Sequence, residues 1–210
     1  MTRFISDPKA TETCRSAIAG ALAKADANSK KSLLRPLAAM GDEGALKLAR
    51  PLLTDGEANV RDAAVRALCD WRTAAATDEL LTVAQKCDSE THRGLALRAY
   101  LRLMADSGRP ADQLVAGYAK AMKGAASSDD RRAIMAELAK VAHPDVQAQL
   151  EPWLTDKDVR DDAAVALLRV ARQLAKTDKA AAKTLLEKII AQPVRDQIKT
   201  DAKAGLDQIK

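Results

Sequence analysis

The sequence predicts an all-α protein built as an array of helical hairpins. Three observations carry that reading. The hydrophobic fraction is 47 % and is dominated by Ala and Leu, strong helix formers whose small or unbranched side chains let helices approach closely. No period-two alternation and few β-branched runs occur, which argues against a sheet. Leu48–Trp71, LARPLLTDGEANVRDAAVRALCDW, has a weaker copy in Gln149–Leu168, QLEPWLTDKDVRDDAAVALL. Pro51-Leu-Leu-Thr-Asp55 recurs as Pro152-Trp-Leu-Thr-Asp156, 101 positions later. That is three units of about 34 residues, the period of helical repeats.

The elements follow in order. Asp7-Pro8 caps a first helix that runs to about Ala25, with Pro at its first position. Asn28 and Ser29 cap a second, to Met40, which Pro36 should kink and Gly41 stops. Asp42 caps a third over about 43–53, ending in Pro51 and the turn Thr54-Asp55-Gly56. Glu57–Trp71 is the fourth. Thr77, Asp78 and Glu79 open the fifth, and Asp88 or Ser89 caps the sixth, to Ala105. Asp106-Ser107-Gly108-Arg109-Pro110 is the strongest loop signal in the chain. Helices over about 110–123 and 129–141 come next, the latter capped by Ser128. His143-Pro144 turns into a kinked segment over 144–154. Asp156 caps a long helix to about Lys176, Asp178 caps 179–191, and Pro193 opens the last. This gives twelve helices in one domain over 1–210, with repeats near 8–40, 42–71, 77–105, 110–141, 144–176 and 178–210.

The second helices align on a basic residue followed seven positions later by Leu: Arg61/Leu68, Arg131/Leu138, Arg160/Leu167 and Lys199/Leu206, with Arg93 seven before Tyr100. The spacings of 32, 38, 29 and 39 suit a divergent array. Each hairpin has one apolar face, such as Val60, Ala63, Ala64, Ala67 and Leu68, which stacking must bury.

These residues resemble HEAT repeats from about Asn28 to Lys210. Asp55…Val60-Arg61 matches the family's turn Asp and the Val-Arg that opens its second helix. Asp156…Val159-Arg160 matches with two residues deleted, and Asp88…His92-Arg93 matches in part. The pair at Ser128–Arg131 lacks the apolar residue before its Arg. The resemblance implies a right-handed α-solenoid of five to six hairpins. It also implies a structural ladder between repeats from Asp55, Arg61, Arg93, Arg131, Asp156 and Arg160. AVRALCDW with LALRAYLRLM is similar to HEAT segments of large bacterial multidomain proteins, so the chain is also read as a domain excised from such a protein.

Composition and motifs exclude several chemistries. There is no run of 18 apolar residues, so no membrane span is expected. MTRFISDPKA lacks a secretory h-region, so the chain reads as cytoplasmic as written, or exported if excised from a longer one. Three cysteines, Cys14, Cys69 and Cys87, without C-x-x-C spacing indicate neither disulfides nor zinc. His92 and His143 are the only histidines and sit in no metal frame, so no metal or cofactor is expected. His92 fills the repeat's Val position and reads as packed. Neither G-x-S-x-G nor an evident Cys-His-Asn set is present, and no phosphate loop occurs. Asp129-Asp130 and Asp161-Asp162 lie in first turns, where they offset the helix dipole.

Net charge is +5 with the signs interspersed. A row of bases remains on the polar faces of the second helices: Arg66, Arg98, Arg102, Arg132, Lys140 and Arg169. In solenoid geometry these helices line the concave side. The leading expectation is a non-catalytic scaffold, not an enzyme, that binds an acidic protein or peptide there. The alternatives are nucleic-acid binding resembling HEAT-like DNA glycosylases, and a structural spacer in a larger protein. Trp71 and Trp153 read as packing residues and not as base-stacking platforms.

Overall fold

The computed structural model describes residues 8–209, so Phe4 and the cap expected at Asp7 lie outside the described residues. Twelve α-helices and three short 3₁₀ helices, with no strand, make up the regular structure among those residues. The all-α class read from the sequence is therefore the class observed. The chain divides into two units, Met1–Ser107 and Gly108–Lys210. The division falls in the loop that the sequence marks most strongly.

The first unit holds three hairpins. α1 (Pro8–Leu22) pairs with α2 (Ala27–Met40). α3 (Glu43–Ala49) continues as a 3₁₀ helix, Arg50–Thr54, and pairs with α4 (Ala58–Cys69). A 3₁₀ turn at Ala74–Ala76 leads to α5 (Thr77–Lys86), which pairs with α6 (Glu90–Ala105). The second helices form one layer, α2 against α4 and α4 against α6. Leu34, Leu37, Leu46, Leu68, Trp71, Leu80 and Met104 are fully or almost fully buried in the core. Each such leucine stabilises the fold by about 1.5–3 kcal/mol.

The second unit repeats the plan. α7 (Ala111–Lys123) pairs with α8 (Ser128–Leu138). α9 (Asp145–Leu150) continues as a 3₁₀ helix, Glu151–Thr155, into α10 (Arg160–Leu174). α11 (Lys179–Ile190) pairs with α12 (Asp196–Gln208). Here α8, α10 and α12 are the stacked layer, and Leu138, Leu150, Val159, Leu167, Leu185 and Ile189 fill the core.

Pro51 and Pro152 act alike. Each sits at the start of its 3₁₀ helix, where a missing N–H costs nothing, and each ends the preceding α-helix. α2 continues through Pro36 to Met40. Several caps lie one or two residues from those expected. Asp26 caps α2, accepting from Ser29 N at 2.8 Å. Ser127 caps α8 in a reciprocal box with Asp130. α10 starts at Arg160 because Asp156 instead accepts from Asp158 N within the turn. α12 starts at Asp196, after Pro193. Gly41 is required at the end of α2: its φ is 66° and its N–H reaches Leu37 O at 3.1 Å.

Candidate functional site

Three second helices open on an arginine that closes its own hairpin turn. Arg61 Nη1 donates to the carbonyls of Asp55 and Gly56 at 2.7 and 2.9 Å. Arg93 Nη1 donates to those of Cys87 and Asp88 at 2.9 and 3.1 Å. Arg160 reaches Leu154 O at 2.9 Å and Thr155 O at 3.5 Å. In each case the acceptors lie six and five residues upstream. A helix end leaves carbonyls without partners, and a planar guanidinium fork serves two at once.

The turn carboxylates face the preceding second helix in their own unit. Asp55 pairs with Lys30 at 2.6 Å, and Asp156 with Arg131 at 3.8 Å, both across 25 residues. The Lys30 hydrogen bond holds the Asp55 carboxyl below the usual carboxylate range. Arg131 also lies 5.5 Å from the centre of the Trp153 ring, a cation–π contact. Lys30 had no motif to reveal it. Its signal is that it stands 25 residues before one turn Asp, as Arg131 stands before the other.

A second carboxylate on each middle hairpin ties it to the next. Asp161 accepts from Arg195 Nε at 2.7 Å and from Arg195 N at 3.2 Å. Asp62 holds the same position, one residue after the turn-closing arginine, and binds His92 Nε2 at 2.8 Å. Arg66 Nε donates to both oxygens of Asp62, at 3.1 and 3.0 Å. The Arg66 bonds first, then the His92 bond, hold the Asp62 carboxyl below its ordinary range. His92 Nδ1 lies 3.9 Å from Cys87 Sγ. The sequence offers no evident Cys-His-Asn set, and the structure brings together an Asp–His–Cys set instead. His92 is not merely a packed Val substitute. The sequence concealed the set because its carboxylate lies one repeat upstream.

The basic row divides unevenly. In the first unit the charges of Arg102, Arg66 and Arg98 all act on the Cys69 thiol. Burial, then the charge of Asp70, nonetheless pushes that thiol up to about 11. Arg102 donates to the carbonyls of Cys69 and Trp71, both at 2.9 Å, and so caps α4. Among the described residues no carboxylate pairs with Arg102. Arg98 is exposed and has no hydrogen-bond or ion-pair partner among the described residues. In the second unit Arg132 is bound by Asp162 at 2.9 Å, Asp129 at 2.6 Å and Asp158 O at 2.8 Å. Lys140 binds Glu137 at 2.6 Å, and Arg169 is exposed. Asp129 and Asp162 thus hold a neighbouring cation as well as occupying first turns.

Among the described residues no group of three or more His, Cys, Asp or Glu is arranged to hold a metal ion. No described helix is long and apolar enough to cross a membrane. His143 accepts from Asp145 N at 3.2 Å within its turn.

No family model and no curated protein matches the sequence. Among solved structures the chain is similar to human deoxyhypusine hydroxylase in complex with glycerol. Identity is 16 %, the TM-score is 0.44, and the match covers 99 % of this chain and 93 % of that one. That protein is an enzyme. The expectation of a non-catalytic scaffold, and with it the statement that the chain is not an enzyme, is withdrawn on that finding. At this level of likeness no residue role transfers from it.

Proposed function

We propose that the first unit recognises an acidic group of a protein or peptide through Arg66, Arg98 and Arg102. One observation carries this reading. Arg98 and Arg102 stand exposed four residues apart on α6, and among the described residues neither has a carboxylate to neutralise it. Guanidinium forks match carboxylate geometry, and neighbouring charges of one sign attract anions more strongly than scattered charge does. An enzyme needs such recognition for its substrate as much as a binding protein does for its partner.

Arg98 is the residue to test, because Asp62 already holds Arg66 and Arg102 holds the carbonyls of Cys69 and Trp71. Fluorescence anisotropy with a labelled glutamate-rich peptide should show binding by the wild type. The substitution Arg98→Glu should weaken it about tenfold or more, with circular dichroism unchanged. Arg132→Glu with Lys140→Glu should leave it within about twofold, because both cations are already paired. Unchanged binding in the first variant would refute the reading. So would preferential binding of single-stranded DNA with a steep salt slope, which would mark a phosphate-tracking surface instead.

A further inference from the structure

The Asp62–His92–Cys87 set stands apart from the anion cluster, sharing only Asp62 with Arg66. It spans two hairpins of the first unit. Asp62 and Arg66 come from α4, His92 and Arg93 from α6, and Cys87 from the turn between α5 and α6. His92 is held at both ends. Its side chain is 17 % exposed, its backbone N donates to Ser89 Oγ at 3.3 Å, and its Nε2 meets the Asp62 carboxylate. A carboxylate only accepts, so Nε2 carries the hydrogen. Nδ1 is then the free acceptor, and Cys87 Sγ is the group beside it. The second unit makes the corresponding tie with Asp161 and Arg195 alone. The inter-hairpin bond therefore needs neither an imidazole nor a thiol.

We propose that Cys87 is a nucleophilic thiol, with His92 as its base and Asp62 as the residue that positions His92, and that it exchanges with low-molecular-weight disulfides. Nδ1 takes the proton from Sγ. The thiolate attacks one sulfur of R–S–S–R, the Cys87–S–S–R bond forms, and the R–S to S–R bond breaks. The leaving thiolate takes up the proton held on His92. One disulfide is exchanged for another, so the disulfide itself is the only oxidant required. Acyl transfer would need free donors for an oxyanion. Here the N–H of Cys87 is bound to Val83 O, and Arg93 Nη1 is bound to two carbonyls. Exchange needs no such donors.

The other thiols are internal controls. All three cysteines are free: Cys14 is exposed, and burial pushes Cys69 up to about 11. The reduced chain is treated with oxidised glutathione at neutral pH without oxygen, and each site is quantified by peptide mass mapping. Cys87 should react about tenfold or more faster than Cys14, with Cys69 slowest. His92→Gln keeps an N–H for Asp62 but removes the base, and should bring Cys87 to within about twofold of Cys14. Asp62→Asn should slow it less. If His92→Gln fails to fold, the wild type in denaturing urea decides, because the advantage of Cys87 must then vanish. A Cys87 rate no higher than that of Cys14 would overturn the proposal. So would a rate unaffected by His92→Gln, or an advantage that survives urea.

Discussion

The middle hairpins of the two units, around Pro51–Cys69 and Pro152–Leu174, share a scaffold and differ in what they do with it. Both carry a 3₁₀ helix started by Pro, an Asp in the turn and an Arg that closes it. Both receive a cation from the previous second helix onto that Asp. They part at the next residue. Asp161 meets Arg195, a permanent cation, whereas Asp62 meets His92, which touches a thiol. They differ in degree on the basic row, where the second unit ties Arg132 and Lys140 to carboxylates and leaves Arg169 exposed, and the first ties Arg66 alone and leaves Arg98 and Arg102 without one among the described residues. Stability needs the shared parts. The unshared parts replace an inter-hairpin ion pair by an imidazole and leave two arginines of α6 unneutralised, and function is to be sought there.

The largest expected effect concerns packing. Trp71 is fully buried just after α4, and Trp71→Ala should destabilise the first unit by about 3–5 kcal/mol in urea unfolding. Protection from hydrogen exchange should fall in α2, α4 and α6. Next come the turn-closing arginines. Arg160→Ala should cost about 1–3 kcal/mol, and more than Arg61→Ala, because Arg160 also reaches Pro193 O at 3.4 Å. Lysine should rescue neither, since an ammonium cannot reproduce the fork.

The shared parts were legible in the sequence and the unshared parts were not. The Pro-x-Leu-Thr-Asp duplication and the Val-Arg starts encode local geometry, and local geometry repeats at a fixed offset. The helical hairpins could therefore be placed to within a few residues. His92 illustrates the limit. Its partners, Asp62 and Cys87, lie 30 residues upstream and five residues upstream. Nothing local links three residues that meet only after two hairpins stack. The basic row shows a related limit: helical periodicity puts Arg132 on a polar face but does not reveal that Asp162, thirty residues later, binds it.

Smaller effects sharpen the contrast. His92→Arg imports the tie used by the second unit and should change stability by less than about 1 kcal/mol in urea unfolding. A loss well above that would show that the histidine is itself structural. Acid should act on Asp62 in a defined direction. Its carboxyl is held low by Arg66 and then His92, so the stability it adds is present above the ordinary carboxylate value, about 3.9. That stability is lost as pH falls through the lower folded value. Carboxyl carbon shifts followed by NMR should show Asp62 titrating below 3.9, and titration above it would remove the bonds drawn here.

The most direct test of the difference between the units is a chemical-shift map of the isotope-labelled chain titrated with a glutamate-rich peptide. The amides of Cys69 to Trp71 and of Arg98 to Arg102 should move, with those around Arg132 and Lys140 still. Shifts centred on Arg132 and Lys140, or spread equally over both basic rows, would contradict the assignment of recognition to the first unit.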